Sequence, residues 1–288
     1  MKKLVFIAIL VAVLVLFFAS LFARDYEVQE KEEIQKTLRF ADPAKPGQVI
    51  VDNLYGSIRV EGYNGRDVIL VAHKAILARS KDRIDRAKEE VKLDIAEKGN
   101  TIDIYVDGPF RCNERRGYRS RRDPGYEVHY DFELKVPFKT ELDLATVMNG
   151  AIEVKNVEGA FGISNVNGEI KMKDVAGSGD AHTVNGKVEA AFRRIPEGDC
   201  SFKTINGDLE LQFPDNLAAD FRLKTMNGEV YTDFSVASLP AKAAVIEEHK
   251  GKYVYRSNRF FGVRAGKGGP EIRMETLNGD MLIKKRTT

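Results

Sequence analysis

The sequence lacks tryptophan and contains only four histidines and two cysteines. The cysteines, Cys112 and Cys200, fall in different segments, so a disulfide between them stays open. The histidines are scattered, and none forms the His-x-x-x-His pattern of a zinc-binding helix. On these grounds we expect no metal site, no cofactor and no catalytic residue.

An excess of charge of one sign is also missing. The chain has 45 basic and 43 acidic residues, and Lys2 and Lys3 account for the net charge of +2. Residues 24–288 are therefore formally neutral. A strongly basic balance is the usual electrostatic feature of nucleic-acid-binding proteins, so we expect no nucleic-acid partner.

The one long apolar run lies at the amino terminus, where residues 4–23 follow two lysines and precede Arg24. Its length suits either a membrane anchor or a signal peptide, and its flanking charges place the rest of the chain on the extracytoplasmic side. We predict an anchor or signal peptide over 1–23, a linker over 24–47 and one β-repeat domain over 48–288. The protein then belongs to the cell envelope, or is secreted or periplasmic if the segment is cleaved.

A repeated Asn-Gly pair dominates the second half of the chain. An apolar residue precedes each pair and another follows the Asn by three positions, which predicts a strand with alternate side chains facing a core. The six pairs are Asn149-Gly150, Asn167-Gly168, Asn185-Gly186, Asn206-Gly207, Asn227-Gly228 and Asn278-Gly279.

The spacing of these pairs indicates how the strands are arranged. Successive Asn residues lie 18, 18, 21 and 21 apart, and then 51 apart, where an insertion precedes the last pair. Asn-Gly also favours hairpins, so an antiparallel meander is the alternative. Stacked coils explain better why every repeat is alike, because equivalent Asn amides can then hydrogen-bond along a ladder. We predict a mainly β, parallel β-helix or solenoid-like stack.

The N-terminal half carries a looser version of the same pattern. Gly56 is followed by the apolar alternation of Ile58 and Val60, as in the later repeats. Ser80 can cap a short inserted helix over Lys81 to Val91. The strands that follow, around Glu97 to Asn100, predict a hairpin.

The clearest repeats, over residues 136–288, resemble the bacterial putative-adhesin family. The resemblance rests on Val-Pro-Phe-Lys-Thr-Glu-Leu at 136–142 and on the Thr-x-Asn-Gly-acidic-apolar repeats at 204–209, 225–230 and 276–281. It implies a domain of unknown function in the cell envelope, built as a β-strand stack and without established catalytic residues. The long segment 233–275 departs from the family pattern.

An arginine-rich segment supplies the candidate partner-binding residues. One acid accompanies six arginines there, and guanidinium groups bind phosphates and carboxylates in a bidentate manner. An anionic envelope component or an acidic protein is the expected partner, and a solvated loop is the alternative. The candidate residues are Arg111, Arg115, Arg116, Tyr118, Arg119, Arg121 and Arg122.

These observations favour a non-catalytic envelope protein that presents its stack for binding or adhesion. A carbohydrate-active β-helix enzyme is the rival interpretation, with Glu169, Asp208 and Glu229 beside Lys187 as candidate residues. An envelope-stress sensor is a third interpretation that these residues do not distinguish from adhesion.

Overall fold

The computed structural model describes residues 26–111, 123–240, 245–249, 252–256 and 260–286. Within these ranges the chain forms 23 strands and one helix. The apolar segment 4–23 lies outside them. None of the described helical structure is long and apolar enough to cross a membrane.

Two large sheets face each other and enclose the core. Sheet A has ten strands. In spatial order they are β1 (Val28–Arg39), β4 (Asp67–Ala78), β7 (Tyr126–Pro137), β3 (Ile58–Tyr63), β9 (Ile152–Lys155), β11 (Ile170–Val175), β13 (Val188–Phe192), β15 (Leu209–Phe213), β23 (Met281–Lys285) and β17 (Val230–Thr232).

Sheet B has eleven strands, and a separate hairpin completes the described structure. In spatial order the strands of sheet B are β18 (Val236–Leu239), β21 (Phe261–Ala265), β16 (Ala219–Lys224), β22 (Glu271–Glu275), β14 (Cys200–Lys203), β12 (Gly179–His182), β10 (Phe161–Ser164), β8 (Thr140–Ala145), β2 (Gly47–Asp52), β6 (Thr101–Asp107) and β5 (Lys92–Lys98). The hairpin consists of β19 (Val245–His249) and β20 (Lys252–Arg256).

The repeats form stacked coils, each with one strand in each sheet. Equivalent residues of successive coils pair in parallel, as in the row Ile152, Ile170 and Val188. The solenoid-like stack is therefore confirmed and the antiparallel meander is not formed. Because strands lie about 4.8 Å apart, the ten strands of sheet A span roughly 40 Å from β1 to β17.

Apolar side chains fill the space between the sheets. Alternate residues of each repeat point inward, and the third residue after the Asn is buried in all but the terminal coil, where Val230 is half-buried. Aromatic rings continue the packing between coils, with Phe192 and Phe213 stacked at 5.1 Å and Phe213 edge-on to Phe221 at 6.0 Å. The strand periodicity of 2 thus generates the core directly from the sequence.

The inserted helix, α1, spans Lys81–Glu90 and lies against β4 and β7. Ile84 and Ala87 are its buried residues, as its spacing predicts. Ser80 is extended at the N-terminus, but its side chain makes no capping hydrogen bond. The hairpin predicted after the helix is also present, as the antiparallel pair β5 and β6.

One segment differs from its prediction. The linker expected over 24–47 contains β1, which pairs with β4 over twelve residues and forms the edge of sheet A. Most of its side chains are exposed and half of them are charged, so apolar periodicity gives little sign of this strand. Backbone hydrogen bonds to β4 hold the strand, and charged side chains are a usual feature of protected sheet edges.

The coils do not stack in sequence order. The last repeat, which contributes β22 and β23, lies between the coil of β14 and β15 and the coil of β16 and β17. The Asn residues therefore follow the order 167, 185, 206, 278 and 227. The 51-residue spacing marks a return of the chain into the stack, and the repeat at Asn227 becomes the terminal coil.

Candidate functional site

The Asn-Gly corners bring the coils so close together that their glycines cannot carry side chains. A Cβ atom on Gly207 would lie 2.1 Å from the carbonyl oxygen of Gly186, and one on Gly279 would lie 2.0 Å from that of Gly207. The same contact recurs from Gly56 to Gly228. The glycine of each repeat is thus required by close backbone approach.

A column of buried threonines joins the corners from inside. Thr204 Oγ1 donates a hydrogen bond of 2.9 Å to the Gly186 carbonyl, and Thr276 Oγ1 donates one of 3.0 Å to the Gly207 carbonyl. Asn165 replaces threonine in one coil, where its Nδ2 donates to the Gly150 carbonyl. The Thr-x-Asn-Gly motif therefore connects each coil to its neighbour.

The asparagines form the ladder that the repeats predict. Each Nδ2 donates to the Oδ1 of the preceding coil, at 2.8 Å for Asn185 to Asn167 and 2.7 Å for Asn227 to Asn278. The intervening steps through Asn206 and Asn278 are 2.8 Å each. Asn149 departs from the ladder and adopts a left-handed backbone with φ 55°.

Two of the three acids of the enzyme interpretation make hydrogen bonds within the fold, whereas Glu169 is exposed. Asp208 Oδ1 accepts a hydrogen bond from the Asp280 N–H, and Asp280 Oδ1 accepts one from the Glu229 N–H, each at 2.9 Å. Asp208 and Glu229 are therefore separated by the coil of Asp280. Glu229 also accepts the Tyr231 hydroxyl at 2.6 Å.

Lys187, the cation of the same interpretation, points to other acids. Its Nζ lies 2.7 Å from Glu210 and 3.4 Å from Glu189 on the outer face of sheet A. Burial alone would raise the pKa of Glu210, but hydrogen bonds from Lys187, Lys284 and Gln212 outweigh it and lower that pKa to about 2. Glu210 is thus a structural anion. Among the residues that the structure describes, no group of three or more potential ligands could hold a metal ion.

An apolar ridge runs outside the Asn ladder, formed by the residue that precedes each Asn. Met148, Val166 and Val184 are half-buried in the inner coils. Exposure rises toward the terminal coil. In spatial order, it is 36% for Ile205, 41% for Leu277 and 70% for Met226.

A groove of about 610 Å³ opens on this part of the ridge, and Phe260 lines it together with the three apolar residues. Cations surround Phe260: Lys224 Nζ lies 5.4 Å and the Arg273 guanidinium 5.0 Å from its ring centroid. Lys203 and Lys224 share Glu275 as a partner. The groove therefore joins an exposed apolar floor to a cationic rim. We call it the terminal groove.

The sequence pattern finds the residues of the ridge but not their exposure. The position before each Asn is apolar in all six repeats, yet it lies in a corner, where strand alternation no longer tells inside from outside. The rise in exposure of these residues along the stack depends on the order of the coils. Only the structure supplies that order.

The predicted arginine segment is described only at its first residue. Arg111 is buried, with 4% of its side chain exposed. Its guanidinium pairs with Asp52 at 3.0 Å, donates to the Val106 carbonyl and covers the Tyr105 ring at 4.7 Å. This arginine stabilises the fold rather than facing a partner. The other candidates, Arg115, Arg116, Tyr118, Arg119, Arg121 and Arg122, lie outside the described residues.

The two cysteines have different outcomes. Cys200 is a buried free thiol, and burial raises its pKa to about 11. Cys112 lies outside the described residues. A thiol with so high a pKa is a poor nucleophile at neutral pH, so Cys200 acts as a small core residue.

Comparison with known proteins gives one family match and several distant structural neighbours. Residues 140–256 match the Toastrack DUF4097 family. A putative cell adhesion protein of Clostridium sporogenes is 11% identical, with 89% of this chain and 100% of that chain covered and a TM-score of 0.41. A putative adhesin of Bacteroides fragilis is 12% identical, with 89% of this chain and 98% of that chain covered and a TM-score of 0.27. A putative lipid-binding protein of Parabacteroides distasonis is 11% identical, with 91% of this chain and 98% of that chain covered and a TM-score of 0.25. No curated protein matches the chain.

Proposed function

We propose that the protein is a non-catalytic binding protein of the cell envelope. The match of residues 140–256 to the Toastrack DUF4097 family supports this proposal. In this proposal residues 4–23 hold the chain at the membrane. The stack then presents the terminal groove to a partner on the extracytoplasmic side.

The observation that carries the proposal is the exposed apolar floor of the terminal groove. Single exposed apolar residues are normal on a protein surface, but contiguous ones mark interaction sites. Ile205, Leu277 and Met226 stand on adjacent coils, with Phe260 beside them. Burying these side chains against a partner stabilises the complex by about 25 cal/mol per Å² of apolar surface.

The position of the groove suits presentation away from a surface. β1 is the edge of sheet A nearest the amino terminus, and the coil of Asn227 is the opposite end. The stack separates them by roughly 40 Å. Its backbone hydrogen bonds, its Asn ladder and its threonine column make that spacing rigid, so an anchored chain would hold the groove at a fixed distance.

The rim specifies the partner that we propose. Lys203, Lys224 and Arg273 surround the apolar floor, whereas Glu275 is the one acid that lines the groove in the part of the chain that the structure describes. Complementary charge favours a protein segment that combines apolar and acidic side chains. The remaining arginines of 112–122 constitute a second proposed contact, with an anionic envelope component, through bidentate guanidinium pairing.

Removal of the apolar floor should abolish binding. We expect the exported part, residues 24–288, to capture its partner from envelope fractions, and the double variant Met226→Ser/Leu277→Ser to bind it at least about tenfold more weakly. Met226 is 70% and Leu277 41% exposed, so the melting temperature should change little. Quantitative pull-down with mass spectrometry measures the captured partner.

Phe138→Ser is the matched control. Phe138 is 40% exposed, like Leu277, but lies outside the terminal groove. This variant should bind as the unmodified chain does. Equal capture by the double variant and the control would contradict the groove as the binding surface and leave the arginine segment as the proposed contact.

A further inference from the structure

The outer face of sheet A carries rows of charged side chains whose cross-strand neighbours are known from the register. Glu133, Arg59, Glu153 and Lys171 follow one another across four strands, with alternating sign. Opposite charges directly across a sheet stabilise it, whereas like charges are destabilising. Like-charged neighbours on this face therefore need an explanation.

One like-charged pair is compensated within the chain. Glu189 of β13 lies opposite Glu210 of β15. Lys187 contacts both carboxylates, and Lys284 lies 3.0 Å from Glu210. The acidic pair is thus part of a neutralised network.

The other like-charged pair is not compensated in the same way. Lys155 of β9 lies opposite Lys173 of β11. Lys171 lies two residues before Lys173 on the same face, with Glu153 and Glu189 opposite it on the two neighbouring strands. Lys155 pairs with Glu61 at 3.6 Å. Within the described residues, the side chains of Lys171 and Lys173 make no ion pair and no hydrogen bond. All three side chains are exposed.

These lysines line a groove of about 580 Å³ on sheet A. Three glutamates also line it, and each is paired: Glu133 and Glu153 with Arg59, and Glu61 with Lys155. Five cations against three acids leave a net charge of +2. Arg59 and Lys155 make the ion pairs with these acids, so Lys135, Lys171 and Lys173 are the lining cations without an ion pair among the described residues, and the last two lie together on β11. Ile69 and Val71 form an apolar wall at the opposite end.

We infer that this groove binds a phosphate-bearing ligand whose anionic group lies among Lys155, Lys171 and Lys173. A phosphate presents several strong acceptor oxygens and more than one negative charge, so it can face several ammonium groups at once. A single carboxylate has one negative charge and would leave part of the repulsion uncompensated. The groove is separate from the terminal groove, and the inference does not depend on the proposed function.

Phosphate can come from a soluble phosphoester or from a lipid headgroup, and the two sources need separate arms. In the first arm, the full chain in detergent micelles is titrated with inorganic pyrophosphate by isothermal calorimetry. In the second, it is titrated with dihexanoyl phosphatidylglycerol against dihexanoyl phosphatidylcholine. The test variant is Lys171→Gln/Lys173→Gln. The control is Lys31→Gln/Lys36→Gln, which removes the same charge from the exposed strand β1.

We expect saturable binding that the test variant weakens at least about tenfold and the control leaves unchanged. Binding of pyrophosphate with this pattern supports a soluble source, and binding of phosphatidylglycerol alone with this pattern supports a headgroup. Melting temperatures of the variants, recorded without phosphate, verify that they are folded. Absence of binding in both arms, or binding that the test variant does not weaken, would overturn the inference.

Discussion

Gly207→Ala is expected to lower the free energy of unfolding by about 3 kcal/mol, at the upper end of overpacking effects. The added Cβ would lie 2.1 Å from the Gly186 carbonyl oxygen, where ordinary contact begins more than 1 Å farther away. Neither coil can move away at low cost, because the atom that the added Cβ meets belongs to the backbone.

The coil on the other side of Gly207 makes it harder still to relieve this steric clash. Gly279 approaches the Gly207 carbonyl as closely as Gly207 approaches that of Gly186. Separating one pair of coils would also strain the Thr204 and Asn206 hydrogen bonds that cross the same corner. Thermal or chemical denaturation followed by circular dichroism measures the loss.

Gly162→Ala is the control variant. It distinguishes the effect of close backbone approach between coils from the general effect of replacing a glycine in a strand. Gly162 lies in β10, and its added Cβ would meet Asp143 at an ordinary 3.5 Å. We expect its stability to stay within about 0.5 kcal/mol of the unmodified chain. Similar losses in both variants would contradict the stacked-corner explanation.

Deletion of residues 271–288 is expected to release a coil that precedes the deletion. β17 has β23 as its strand partner among the described residues, and β16 has β22 on its inner side. The deletion also removes four buried apolar side chains, Ile272, Met274, Met281 and Ile283. Each contributes about 1.5–3 kcal/mol, so their sum is comparable with the whole stability of a domain.

Limited trypsin digestion with mass spectrometry detects the release. Cleavage after Arg222 and Lys224 should become rapid in the truncated chain and stay slow in the full chain. The coils before β14 should stay protected in both, because their pairing is unchanged. If the last repeat merely capped the stack, the coil of Asn227 would stay protected after truncation. That result would contradict the interior position of the last repeat.

Much of the architecture follows from local patterns in the sequence. Strand alternation after each Asn predicts the buried row of Ile152, Ile170 and Val188, and the identity of the repeats predicts parallel stacking. The amide ladder follows because equivalent side chains of a parallel stack lie one strand spacing apart. The helix near Ser80 is likewise predicted from the change of apolar period.

The order of the coils could not be predicted in this way. The repeats at Asn185, Asn206, Asn227 and Asn278 all present the same Thr-x-Asn-Gly surface above and below, so local chemistry lets any of these four lie beside any other. The order depends on long-range contacts, such as Asn206 with Asn278, that no local pattern encodes. β1 escaped prediction for a related reason, since backbone pairing rather than apolar side chains holds it.

The candidate sites depend on the same long-range information. Ile205, Leu277 and Met226 form one floor only because the last repeat lies between the other two. The lysine cluster needs the register of β9 and β11, which sets Lys155 opposite Lys173. The arginine segment is evident from composition alone, but the structure commits Arg111 to the fold.

Disulfide trapping tests the coil order, and with it the terminal groove, most directly. In a Cys112→Ser background, cysteines at 206 and 278, or at 278 and 227, lie one coil apart, within the Cα separation that a disulfide spans. Cysteines at 206 and 227 lie two coils apart, roughly 10 Å, which is too far. We predict cross-links in the first two pairs and none in the third on mild oxidation. A cross-link between 206 and 227, with none to 278, would contradict the account.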